Sequence, residues 1–160
     1  MKSMLKITSA GLAVLVLAFV HAERAHTQSL TLQTRLKNAK RLDCNFSKLA
    51  TGTWQAGAAK ERVSAVEVEV KFQDIDVDGG TAEADSDFGK SFIVVRYSHG
   101  YLHLMQISDA GPLRVTTVFA VESSKGRMKA VQTRHAYTAV QLPGYTSRPE
   151  MYVGDCGVED

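Results

Sequence analysis

The chain has 160 residues, of which 22% are charged and 44% hydrophobic, with 19 Lys and Arg against 17 Asp and Glu. That length suits one domain with a real core, and the composition excludes both a disordered polyelectrolyte and a multi-pass membrane protein. Three prolines and twelve glycines also exclude collagen-like and low-complexity classes.

Residues 1–22 read as a secretory signal peptide. Lys2 and Lys6 form a positive start, residues 10–20 form an unbroken apolar run, and Val20-His21-Ala22 supplies a cleavage site before Glu23. The run is shorter than the ~20 residues a membrane-spanning helix needs. No cysteine follows it closely, which disfavours a lipid anchor. Removing the two leader lysines from 19 basic side chains leaves 17, equal to the 17 acids. A neutral mature chain lacks the basic field of most nucleic-acid binders, so no nucleic-acid partner is expected. No stable membrane insertion is expected after cleavage.

Residues 23–41 mix helical and strand spacing and read as a flexible lead or a short helix before a single β-domain over residues 42–160. Leu42, Cys44 and Phe46 alternate with polar residues, and the glycines around Trp54 are expected to break that strand. Residues 63–73 carry the clearest signal. Val66, Val68, Val70 and Phe72 alternate with Glu67, Glu69, Lys71 and Gln73, the pattern of a strand with one wet face. Turn residues then recur about every ten positions. Asp78-Gly79-Gly80, His99-Gly100, Asp109-Ala110-Gly111-Pro112, residues 123–126 and Pro143-Gly144 separate short strands. In residues 113–121, Leu113, Val115, Thr117, Phe119 and Val121 share one face. Residues 128–142 read as one long extended stretch and residues 150–156 as a last strand. The fold class expected is all-β, an antiparallel meander of about seven to eight strands forming a small barrel or a sandwich.

The two cysteines, Cys44 and Cys156, bracket that domain. Export leads to an oxidising compartment, so a Cys44–Cys156 disulfide is expected. Its closed loop of about 110 residues is worth ~4–5 kcal/mol in the chain-entropy model.

Several motifs bear on chemistry. Asp74, Asp76, Asp78 and Gly79 match the start of an EF-hand loop. A strand precedes them where an entering helix is required, and Asp85 stands where the loop needs a bidentate Glu. An acidic strand end and a turn are expected, with no metal. His99 and His103 flank a hairpin turn, and same-face strand residues four apart are ~13 Å from each other, too far to share a metal. No G-x-S-x-G, H-E-x-x-H or phosphate-binding glycine loop occurs, and nothing calls for a cofactor. The densest polar cluster in a predicted strand is Thr133-Arg134-His135-Ala136-Tyr137. If Val131 marks the inside, then Thr133, His135 and Tyr137 line the interior with Thr117 from the preceding strand. These four are the candidate ligand-binding residues, with ordinary core packing as the alternative.

Thr116-Thr117-Val118-Phe119-Ala120, Ala130-Val131-Gln132-Thr133-Arg134-His135 and Tyr152-Val153-Gly154-Asp155-Cys156 resemble the C-terminal half of small exported bacterial proteins of unknown function. The resemblance spans the last third to half of the chain. It implies a periplasmic or extracellular location and no particular activity. The function expected is a non-enzymatic, exported β-domain that binds a small ligand or an envelope protein. A secreted hydrolase with acids that the sequence does not pair, or a structural or inhibitor module, are the alternatives. N-terminal sequencing of the exported protein is expected to begin at Glu23; a retained Met1 overturns the export assignment.

Overall fold

The computed structural model describes residues 29–55, 58–86, 89–107, 113–135 and 149–159. The chain divides into two units, Met1–Thr31 and Leu32–Asp160. Of the first, only the opening of a short helix, α1 (residues 29–37), is described.

The second unit is a closed eight-stranded barrel in meander order. Its strands are β1 (Arg41–Gln55), β2 (Ala58–Asp76), β3 (Thr81–Ser86), β4 (Gly89–Ser98), β5 (Tyr101–Ile107), β6 (Leu113–Glu122), β7 (Met128–His135) and β8 (Glu150–Glu159). Every neighbouring pair is antiparallel, and β8 returns to pair with β1, so no sheet edge remains along the shared length. The barrel is therefore the outcome between the two expected architectures. β1 does not break at its glycines. It runs on to Gln55, and the irregularity falls earlier, between Phe46 and Lys48, where one extra residue opposes β8. Residues 136–142, expected to continue the extended stretch, and the Pro143-Gly144 turn lie outside the described residues.

Local chemistry sets the turns. His99 and Gly100 both take positive φ, 47° and 85°, which matches the twist of a two-residue hairpin between Ser98 and Tyr101. At the end of β2, Asp74 takes a φ of 50° within a register shift between Gln73 and Asp76. That extra residue lets Phe72 and Ile75, three apart, both turn inward, at 3% and 1% exposure. The Asp76 carboxylate accepts the Gly79 N–H at 2.9 Å, so its role is to close the turn into β3. Among the described residues, no three His, Cys, Asp or Glu side chains converge as a metal site would require.

The core fills the barrel from the end where α1 lies, here the lower end. Leu36 and Ala39 join Leu42, Phe72, Ile75, Val95, Leu102 and Val118 there. The Tyr97 hydroxyl donates to the Gln33 carbonyl at 3.1 Å and fixes the helix against the end of β4.

The seam between β1 and β8 is the most constrained part of the barrel. Cys44 and Cys156 are register partners and form a fully buried disulfide between residues 112 positions apart. On the outer side, Arg127 reaches across the seam. It pairs with the Asp155 carboxylate at 2.7 Å and donates to the Asp43 carbonyl at 2.5 Å. Gly154 faces the bulge at Phe46, and a Cβ there would overlap the Asn45 carbonyl, so no larger residue fits without moving β1. Replacing both cysteines, Cys44→Ser with Cys156→Ser, is expected to lower the unfolding free energy by about 2–5 kcal/mol in urea titration. An unchanged midpoint would show that the seam is held without the bond.

Candidate functional site

The register reverses the expected orientation of β6 and β7. Thr116 and Val118 are buried at 2% and 0% exposure, and Arg114 is buried with them. The barrel interior therefore receives Arg114, Thr116, Val118 and Ala120 from β6, and Met128, Ala130, Gln132 and Arg134 from β7. Val131 does not mark the inside. Thr117 and Thr133 stand on the outer wall, where Thr117 Oγ1 is 2.9 Å from His103 Nδ1. His135 is the last residue of β7, paired through its backbone with Leu113. Its side chain, and all of Tyr137, lie outside the described residues. Thr117 and Thr133 therefore do not meet inside the barrel.

The register gathers a different set. Along the ladders, Gln106 opposes Arg114, Arg114 opposes Arg134, and Arg134 opposes Glu150. This row crosses four strands at the upper end of the lumen. One level lower, Leu104, Thr116, Gln132 and Tyr152 form the next row. Hydrogen bonds hold these side chains, and the one from Tyr152 to Glu150 joins the two rows. Gln106 Nε2 donates to Ser91 Oγ at 2.7 Å, and Gln132 Nε2 donates to Thr116 Oγ1 at 2.9 Å. Arg134 Nη1 and the Tyr152 hydroxyl both donate to Glu150 Oε2, at 3.3 and 2.9 Å. Below these rows come Val118, Ala130 and Gly154, then Met128 beside the disulfide. The lumen is apolar at the bottom and polar, then charged, at the top.

A cavity of about 20 Å³ opens between the two sides of the barrel, lined by Val68, Val70, Ser86, Gln106, Arg114 and Gln132, with exposed Glu69 at its margin. That volume holds about one water molecule. Its polar walls supply the partners a buried water needs.

The electrostatics follow from burial. Removal from water pulls the Arg114 guanidinium below its ordinary value, and the like charge of Arg134 adds to this; Tyr152 and Glu150 act in the opposite sense. Burial pushes the Tyr152 phenol up from 10.0, and the hydrogen bond to Glu150 pushes it further.

Alternation in β6 and β7 separates two faces without saying which one is enclosed. Small residues mark only the middle level of the inward face, at Ala130 and Gly154 beside Val118, while the larger Gln132, Arg134 and Tyr152 stand above it nearer the mouth. No family model, curated protein or solved structure matches the chain.

A raised Tyr152 value means that the protonated phenol favours the fold. Its contribution is complete below pH 10.0 and is lost as pH rises through the folded value. Urea midpoints measured from about pH 9 to about pH 11 are expected to fall in the wild type and to fall less steeply in Tyr152→Phe. Parallel alkaline limbs would remove Tyr152 from the account.

Proposed function

We propose that the protein is an exported, non-enzymatic binding protein whose barrel receives the anionic head of a small carboxylate at its upper mouth. The observation that carries this reading is the pairing of Arg114 with Arg134 as direct cross-strand neighbours on the inner wall. Like charges opposite one another on a sheet face destabilise it. Taking a guanidinium out of water costs several kcal/mol more. Next in the row, Glu150 accepts a hydrogen bond from Arg134 at 3.3 Å. A carboxylate suits two adjacent guanidinium groups, because each fork presents two N–H groups to two oxygens.

The neighbouring groups fit the same role. Gln106 and Gln132 add amide donors, and both are held in place by hydroxyl acceptors. The small cavity beside Arg114 suits a head group that displaces one water, with the body of the ligand lying at the mouth. Export is supported by the order of the leader and by the buried disulfide, which suits an oxidising compartment. No cofactor enters this reading.

The test is thermal unfolding of the purified chain in sodium benzoate, against benzyl alcohol and sodium chloride at matched concentration. A ligand present at about 100 times its Kd stabilises by ~2.7 kcal/mol, which corresponds to a rise of about 10 °C for a domain of this size. The rise is expected with benzoate alone and is expected to vanish in Arg114→Gln and shrink in Arg134→Lys. Equal shifts with benzyl alcohol, or a shift that survives Arg114→Gln, would overturn the proposal.

A further inference from the structure

The barrel is closed only along the length its strands share, and β2 outruns β3. The two pair from Val70 to Asp76, because the β3–β4 hairpin turns back after Ser86, the register partner of Val70. Residues 58–69 continue past that turn, paired on one side with Asn45 to Gln55 of β1. Among the described residues, no strand pairs with them on the other side. We infer that this edge of β2 takes an added strand, supplied by an extended peptide segment with Lys or Arg at alternate positions.

The backbone supplies the attraction. Successive residues of a strand in an antiparallel ladder direct their N–H and C=O groups to alternate sides. Every second residue of 58–69 therefore turns a donor and an acceptor away from β1. At ~3.4 Å per residue this edge is about 40 Å long. The devices that commonly close such an edge are missing from its middle. Residues 63–69 contain no proline and no lysine. They also keep strict alternation, with Ser64, Val66 and Val68 half-buried and Val63, Ala65, Glu67 and Glu69 exposed. The bulge beside them belongs to β1.

Side chains select the partner. Over residues 58–69, the face that continues the outer wall carries Glu61, Glu67 and Glu69, all exposed, and no cation. Across the β1 ladder, Glu61 opposes Gly52 and Glu69 opposes Asn45. Among the described residues, none of the three carboxylates is in an ion pair. An added strand sets its own side chains directly opposite, ~4.5–5.5 Å away between Cβ atoms. Lys or Arg two residues apart would stand against Glu67 and Glu69. The residue between them would oppose half-buried Val68, where an apolar side chain fits. Main-chain pairing attracts any extended segment, and the glutamates choose a basic one. A second copy of this chain suits the edge poorly. A two-fold axis keeps outward residues outward, so pairing β2 with itself would gather both sets of glutamates on one face with no cation from either strand.

Fluorescence anisotropy of a labelled, end-capped nonapeptide of alternating lysine and valine tests the inference. Saturable binding is expected. It is expected to weaken about tenfold or more when glutamate replaces every lysine. The same loss is expected when proline replaces every valine, which keeps the charge but cannot hold the ladder. Glu67→Lys with Glu69→Lys is expected to reverse the preference, so that the glutamate peptide binds more tightly than the lysine one. Circular dichroism of that variant is expected to match the wild type. If it misfolds, Glu67→Gln with Glu69→Gln replaces it, and the preference for lysine is expected to disappear. Amide hydrogen exchange over residues 63–69 is expected to slow when the lysine peptide is added, which adsorption by charge alone would not produce. Absent binding, equal binding of the proline peptide, unslowed exchange, or a lysine preference that persists in the folded variant each overturns the inference. A free protein that is dimeric, with the amides of 63–69 already protected, would assign the edge to a second copy and equally overturn it.

Discussion

Closure of β8 onto β1 is the constraint on which the rest of the barrel depends. A meander of eight strands that fails to close leaves two long edges and opens its lumen to water. The two strands that must meet are the most distant in sequence, and their pairing carries the largest loop-closure cost. The chain concentrates its strongest links there. The Cys44–Cys156 bond lies inside the seam, the Arg127 contacts to Asp155 and Asp43 lie outside it, and Gly154 gives β1 room to approach. Covalent, ionic and steric features act on the same few ångströms of ladder.

Closure creates the low-dielectric lumen, and that lumen gives the interior polar groups their character. On an open sheet Arg114 would sit in water and Tyr152 would titrate normally. Inside, burial is the largest influence on both, in opposite directions because the charged form is the acid form of one and the base form of the other. The gradient along the axis then follows from what can be paired. The lower end, closed by Leu36 and Ala39, accepts only apolar side chains. The upper end places Gln132 on Thr116 and sets Arg134 and Tyr152 on one Glu150 oxygen.

The two walls express one sequence choice twice. β6 is amphipathic, and in a soluble domain its apolar side normally faces the core. Here the inner positions are Arg114 and Thr116, and the outer ones are Val115 and Phe119. The inner side of the strand therefore brings charge into the lumen, and the outer side leaves apolar surface facing solvent.

The sequence alone determined what depends on local order. Period-two alternation over Val66 to Gln73, turn residues at regular spacing, and His99-Gly100 between two apolar runs were enough for an antiparallel meander. Two cysteines bracketing the β-domain, with export expected, were enough for their pairing. Tertiary structure alone decided barrel over sandwich and which face of each strand looks inward. Alternation defines two faces but does not say which one the closed sheet encloses. That choice depends on register across non-local pairs, which closure fixes. The Arg114–Arg134–Glu150 row exists only once three strands are aligned, since its members lie far apart in sequence and form no motif.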